Sequence, residues 1–269
     1  LVSMHGSDTL PTNKVFWDYK QLIEKAIQQR TILFSVPSYS LKLKAIERIN
    51  IDEDLISVIP NPYNSIFWLQ DRPATYTPGD PIKIATVGRL IKLKGHSYLL
   101  EAVRQLKVKG INIELSIIGD GPERNALQHQ VDALVLGGSV SFLGALAHHK
   151  VAEVLFEQDI YVQPSITDPI TGQEESFGVA VIEAIAAGLP VIVTECGGLP
   201  ETVSGGVEGY ALVVAQQNAH ELAEQIEKLI AYIQQNKADP RIYQQMLSPF
   251  SSEKYVSTVT SIYKRLIIK

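Results

Sequence analysis

IKIATVGRLIKLKGHSYLLEAVRQLKVKGINIELSII, residues 82–118, is the stretch that decides the fold. Ile82 to Gly88 is an apolar run of strand formers, Gly95 to Lys107 reads as a helix, and Ile113 to Ile118 is a second apolar run. A strand, a helix and a strand in that order make a parallel pair joined by a helical crossover. The pattern then repeats. Strands are expected at Val140–Leu143, Ile160–Gln163, Val191–Thr194 and Tyr210–Val214, and helices at Pro122–Leu136, His148–Glu157 and Phe177–Ala187, with a helical turn over Pro200–Val203. The strands are continuous apolar runs, as in a parallel sheet covered on both faces. The fold class is therefore α/β, a doubly wound Rossmann-like sheet whose ligand binds at the carboxyl ends of the strands.

The pattern weakens upstream of Ile82. Residues 69–81 are proline-rich without apolar period and read as a linker. Before it lie a helix capped by Thr12 or Asn13 and ending near Arg30, a strand at Ile32–Val36, a helix at Leu41–Asn50 and a strand at Ser57–Ile59. Leu1 to Met4 reads as a strand already under way, so the chain is expected to be part of a longer one. Downstream, Ala219–Gln234 and Ser251–Ile268 are amphipathic helices. The expected division is 1–68, a partial acceptor-side unit; 69–81, a linker; 82–250, the ligand-binding domain; and 251–269, a helix packing back toward the N-terminal part.

Composition narrows the function classes. The 269 residues are 45% hydrophobic and 20% charged, with net charge −5, so no basic stripe for nucleic acid is expected. Cys196 is the only cysteine, which rules out an intrachain disulfide. No apolar run is long enough to span a membrane, and the opening residues lack the basic start and longer apolar run of a signal peptide.

Three segments fall on the ligand edge of the sheet. In the first, Gly88 ends a strand, Arg89 and Lys94 follow, and Gly95 opens a helix. Arg89 offers a fork for phosphate oxygens and Lys94 a movable charge; a solvated basic turn fits equally well. The second, Gly119-Asp120-Gly121-Pro122, is a tight turn or an imperfect dinucleotide fingerprint. The third runs Glu175-Ser176-Phe177-Gly178-Val179 into an apolar helix containing Glu183. If that helix starts near Ser176, about 12 Å of axis separates the two carboxylates. That suits a nucleotide sugar, with helix amides for its diphosphate and Glu183 on the ribose. An ion-paired Glu183 and a dipole-favoured Glu175 form the alternative.

This ordered set, with Ala187-Gly188-Leu189-Pro190-Val191 and Gly197-Gly198-Leu199-Pro200-Glu201 after it, resembles family 4 of the glycosyltransferases, retaining enzymes of the two-Rossmann-domain GT-B fold. The resemblance covers about residues 82–214, and His5-Gly6-Ser7-Asp8 and Val58-Ile59-Pro60-Asn61 also fit it. It implies that Arg89 and Lys94 bind the donor diphosphate and Glu175 the sugar hydroxyls. It places the amides of Phe177, Gly178 and Val179 on sugar and phosphate, Glu183 on the ribose, and His5 beside the anomeric carbon. Gly88, Gly119, Asp120, Gly121, Leu143 and Ser176 complete the donor site. A UDP- or GDP-sugar donor is implied, without metal or other cofactor. A sugar or lipid-linked acceptor is implied too, with a cytoplasmic location in peripheral contact with the inner face of the membrane.

Three features depart from the family pattern. The stretch Thr167–Gln173 ahead of the carboxylate pair is longer than the family's minimal pattern and resembles the branch acting on bacterial surface polysaccharides. Residues 1–68 are short for a full Rossmann unit of about 100–150 residues. Ser176 stands where the family commonly has glycine. Three rival classes remain: a glycoside hydrolase using Glu174, Glu175 or Asp168, a nucleotide-sugar-binding module without turnover, and a nucleotide-sugar epimerase.

Overall fold

The computed structural model describes residues 1–5, 20–67, 79–205, 209–235 and 239–267. Three short parallel strands come first: β1 (Val2–Ser3), β2 (Phe34–Val36) and β3 (Ile56–Val58), in the order β1-β2-β3. Helix α1 (Lys20–Gln28) precedes β2, and α2 (Tyr39–Ile49) links β2 to β3. The expected cap of α1 at Thr12 or Asn13, and Gly6 to Asp8, lie outside the described residues, as does most of the stretch 69–81. Phe34, Val36, Leu41, Ala45, Ile51 and Leu55 make a small core here, and Ile262 of the last helix, α10 (Ser252–Ile267), is buried in it.

The larger sheet has six parallel strands: β4 (Ile82–Val87), β5 (Ile113–Ile118), β6 (Val140–Gly144), β7 (Ile160–Gln163), β8 (Val191–Thr194) and β9 (Ala211–Val214). Their order is β6-β5-β4-β7-β8-β9. The chain winds outward from β4 to β6, returns to the middle at β7, and winds out the other way. One face of the sheet is covered by α3 (His96–Val108), α4 (Arg124–Ala133) and α8 (Ala219–Gln235), through Leu99, Leu106, Leu127, Leu222 and Ile226. The other is covered by α5 (His148–Phe156), α6 (Val179–Ala186) and α9 (Pro240–Leu247), through Leu155, Val181, Ile182, Ile185 and Met246. A helical turn, α7 (Leu199–Thr202), follows β8. Helix α6 is apolar almost all round because it is enclosed on all sides. No described helix is both long and apolar enough to cross a membrane.

Most expected elements form, with shifted ends. Helix α9 was not foreseen, although Asp239 caps it by accepting from the Arg241 amide at 2.9 Å and Pro240 opens it. Helix α4 starts at Arg124, not Pro122, because Pro122 lies in the turn held by Glu123 N donating to Leu90 O at 2.9 Å. Helix α6 starts at Val179, not Phe177. Gly178 has φ +112°, which no helical residue adopts, and Phe177 is buried against Phe250, ring centroids 5.6 Å apart. The 12 Å helical spacing between Glu175 and Glu183 therefore does not hold, since Glu175 lies in the loop.

Glycine is required where β4 exits. Gly95 has φ +64°, and a Cβ on it would lie 1.9 Å from the Pro164 carbonyl oxygen at the end of β7. Gly95→Ala should cost more than about 2 kcal/mol in urea unfolding, from backbone strain plus displacement of β7's exit. Gly110→Ala, also at positive φ but facing open space, should cost only about 1 kcal/mol. Equal losses would show that the close approach at Gly95 carries no special constraint.

Candidate functional site

Strand order reverses between β4 and β7, which lie side by side, with Ala85 opposite Tyr161. The loops leaving two such strands go to opposite faces, and the crevice between them is the usual ligand site of an open parallel sheet. From β4 come Gly88, Arg89, a short 3-10 turn over Lys92–Lys94, and Gly95. From β7 come Pro164, Ser165 and the loop that ends in Glu175 and Ser176.

The β4 exit is sewn to its neighbour. Gly88 N donates to Ile118 O at 2.9 Å, and Leu90 N to Asp120 O at 3.0 Å. A Cβ on Gly119 (φ +138°) would lie 1.9 Å from Gly88 O, so the two loops touch backbone to backbone. Asp120 accepts from the Gly121 amide at 2.8 Å, and Gly119 N donates to Gly144 O at 2.8 Å. Gly88, Gly119, Asp120, Gly121 and the half-exposed Leu143 thus share one rim of the crevice.

Across it, Lys94 forms an ion pair with Glu175, their side chains 20% and 11% exposed. Ser165 Oγ donates to the same carboxylate oxygen, Oε1, at 2.9 Å. Arg89 is exposed, and its side chain has no partner among the described residues. Beyond Glu175, Ser176 Oγ donates to His5 O at 3.2 Å, and Gly178 caps α6. The amides at the start of α6 belong to Val179 and Ala180, while Val181 N already donates to Gly178 O at 3.0 Å. His5 is exposed at the end of β1, its ring nitrogen Nε2 3.0 Å from Ser3 Oγ. Lys94, Glu175, Ser176, His5 and the head of α6 are thus linked by contact or along the chain, and Arg89 leaves β4 on the loop that carries Lys94.

Glu183 lies inside α6, 8% exposed, and its carboxyl has no hydrogen-bond or ion-pair partner among the described residues. Burial pushes its carboxyl up to about 7. Glu175 and Glu183 both raise the neighbouring Tyr161 phenol, though burial does most of that. Both carboxylates thus act on the same buried ring.

The small sheet docks on this loop. Ser38 Oγ donates to Ser176 O at 2.6 Å, Lys44 pairs with Glu174, and Glu201 accepts from the amides of Tyr39 and Ser40 at 2.7 and 2.8 Å. Glu201, from the larger sheet, thereby satisfies the free amides at the start of α2. Sequence reading missed Ser38, Lys44 and Glu201, whose partners lie more than 100 residues away. It also missed Ser165, for which the polar Gln163-Pro164-Ser165 ending an apolar strand was a usable signal.

A family model described as glycosyl transferases group 1 matches residues 70–243, well over half of the chain. The chain belongs to this family. It is 29% identical over 215 residues to the phosphatidylinositol N-acetylglucosaminyltransferase GPI3 subunit of Saccharomyces cerevisiae, covering 78% of this chain and 45% of that protein. It is 34% identical over 149 residues to the putative colanic acid biosynthesis glycosyltransferase WcaL of Salmonella typhimurium, covering 55% of this chain and 36% of that one. The chain thus spans less than half the length of the curated relatives it matches. Among solved structures, Anabaena HepE in complex with UDP and glucose superposes with TM-score 0.74 at 21% identity, covering 98% of this chain and 70% of its own. The fold of this chain is of the GT-B type.

The unpaired Glu183 gives the folded chain a pH dependence. Its folded-state value, about 7, lies above the ordinary 4.5. Its contribution to stability is therefore full below about pH 4.5 and is lost as pH rises through about 7. The whole loss is roughly 3 kcal/mol. His96, held neutral by burial with a value lowered to about 4, slopes the other way, so the comparison must be between variant and wild type. In urea unfolding, Glu183→Gln should gain on wild type as pH rises from about 5 to about 8. A constant difference between the two would show that Glu183 does not titrate in this window.

Proposed function

We propose that this chain holds the nucleotide-sugar side of a retaining glycosyltransferase of family 4, which moves a sugar from a nucleoside diphosphate to an acceptor hydroxyl. The observation that carries the reading is the Lys94–Glu175 ion pair at the strand-order reversal, with Arg89 leaving β4 on the same loop and α6 starting just past Glu175. In the proposal, the donor diphosphate lies against Arg89, Lys94 and the amides of Val179 and Ala180. Glu175 takes sugar hydroxyls, and Glu183 takes the ribose. Gly88, Gly119, Asp120, Gly121, Leu143, Ser176, Phe177 and Gly178 shape the remainder, and His5 stands beside the transferred sugar.

The chemistry asked of these groups is electrostatic. The bond from the anomeric carbon to the diphosphate oxygen breaks, a bond from that carbon to the acceptor oxygen forms, and the acceptor hydroxyl's proton leaves with the departing diphosphate. Negative charge grows on the departing diphosphate, where fixed cations and amides act most strongly. In this proposal Arg89, Lys94 and α6 supply that neutralisation without a metal. UDP and glucose in the HepE complex support a UDP-type donor on this fold. The names of the two relatives support an acceptor that is a lipid or a growing surface polysaccharide. A lipid acceptor would bring the whole protein into peripheral contact with the cytoplasmic face of a membrane. Turnover is proposed for the whole protein and donor binding for this chain, which spans less than half of its curated relatives.

A hydrolase fits less well. It needs a carboxyl held protonated as general acid. Of the three carboxylates a hydrolase would use, Asp168 is shifted down, first by the Thr171 amide, Glu174 is tied to Lys44 and Thr167, and Glu175 to Lys94 and Ser165.

Calorimetry of this chain with UDP and with GDP should show binding of at least one. Silence with both, in folded protein, would overturn the donor-site reading. In the whole enzyme, Arg89→Ala should lower turnover by ~10²–10³, the scale of removing one oxyanion-type donor. Undiminished turnover would remove Arg89 from the mechanism.

A further inference from the structure

β7 runs through the middle of the larger sheet, where a parallel strand is expected to be apolar throughout. Three side chains break that rule: Tyr161, Gln163 and, just past the strand, Ser165, exposed by 0%, 2% and 0%. They hydrogen-bond in series. Tyr161 Oη donates to Gln163 Oε1 at 2.6 Å, Gln163 Nε2 donates to Ser165 Oγ at 2.9 Å, and Ser165 Oγ donates to Glu175 Oε1 at 2.9 Å.

Each link fixes the direction of the next. The Tyr161 hydroxyl faces only acceptors, Gln163 Oε1 and, at 3.5 Å, the Val87 carbonyl, so it must donate. Burial first, then the two nearby carboxylates, push its phenol far above the ordinary value, so it keeps its proton. With its carbonyl end engaged, the Gln163 amide can offer only N–H to Ser165. Ser165 Oγ accepts that bond, which leaves its single proton for Glu175. Thr194 Oγ1 holds the Ser165 carbonyl from the neighbouring strand. Lys94 also binds Oε1, and Oε2 of Glu175 has no partner among the described residues.

We propose that Tyr161, Gln163 and Ser165 are positioning residues, a buried polar chain of fixed direction that holds Oε1 of Glu175 and leaves Oε2 to the donor's sugar hydroxyls. This rests on the donor-site reading above. It makes recognition of the sugar separable from recognition of the nucleotide. None of the three residues need touch the nucleotide, which is assigned to Arg89, Lys94, Glu183 and the head of α6.

The test is calorimetry of the chain with UDP, UDP-glucose and UDP-N-acetylglucosamine, and with GDP and GDP-mannose. The quantity read is the gain in affinity of a nucleotide sugar over its nucleoside diphosphate. Ser165→Ala should cut that gain by ~10-fold, the scale of one hydrogen bond to a charged group, and leave the nucleoside diphosphate affinity unchanged. Tyr161→Phe keeps the ring but removes the proton that orients Gln163. It should cut the gain less, in the same direction, and it keeps the proposal testable if Ser165→Ala does not fold. An unchanged gain in the folded variants would overturn the positioning role. So would equal losses for nucleotide and nucleotide sugar, the mark of general structural damage, or a wild-type chain that binds the nucleotide without any gain from the sugar. A wild-type chain that binds neither UDP nor GDP would instead overturn the donor-site reading beneath it.

Discussion

Glu175 receives its two side-chain hydrogen bonds from opposite sides of the strand-order reversal, Lys94 from the β4 exit and Ser165 from the β7 exit. A parallel sheet opens a crevice only where its winding direction changes, and β4 and β7 are the two strands at that change. The rest of the site follows from keeping both exits close. Gly95 lets the β4 loop lie against the Pro164 carbonyl, and Ile166 N donates to Leu93 O at 2.8 Å to hold the loops together. Gly197 permits the same intimacy on the far side, where a Cβ would lie 2.0 Å from Glu175 O. The carboxylate is thus placed by backbone packing before any side chain orients it.

The small sheet is coupled to this arrangement through the same loop. Ser38 caps α2 by accepting from Leu41 N at 3.1 Å, and its hydroxyl proton goes to Ser176 O. One side chain therefore ends a helix in one unit and restrains the loop of Glu175 in the other. Glu201 adds a charged acceptor at the start of α2, where a carboxylate is favoured by the free amides. Lys44, a turn and a half along α2, holds Glu174. Contacts to Glu174 and Ser176, on either side of Glu175, and to Glu201 in α7 tie the placement of α2 to the loop that carries Glu175. Arg89 makes no such side-chain contact among the described residues.

Much of the larger sheet was legible in the sequence, for a physical reason. Strands buried on both faces have to be apolar without alternation, so Ile82–Val87, Ile113–Ile118, Ile160–Gln163 and Val191–Thr194 announce themselves. The candidate residues were legible as types at strand ends: Gly88 and Arg89 after β4, Glu175 ahead of α6. What the sequence did not disclose was pairing. Lys94 and Glu175 were read as separate ligands for phosphate and sugar, and their ion pair joins residues 81 apart. The start of α6 was misjudged because Phe177 suits a helix by composition. Only the conformation of Gly178, with Leu199 2.6 Å from where a Cβ would be, places the break one residue later. Helix α9 was overlooked because its apolar face is short and belongs to the core under α6.

Glu183 shows how stability and binding oppose each other in this fold. A carboxyl group buried in an apolar helix without a partner is costly in its charged form, and its raised value expresses that cost. Replacing it with an apolar residue would relieve the cost, since its neighbours Val181, Ile182, Ala184, Ile185 and Ala186 are already apolar and buried. The position makes physical sense if something absent from the folded chain alone supplies the missing donors. Hydroxyls can do this in the proposed site, because each donates a proton to the charged form and carries no charge of its own. In the proposed donor site, the Glu183 carboxylate and the Arg89 guanidinium, neither with a side-chain partner among the described residues, are two ends of one requirement, a ligand that is hydroxylated at one point and anionic at another.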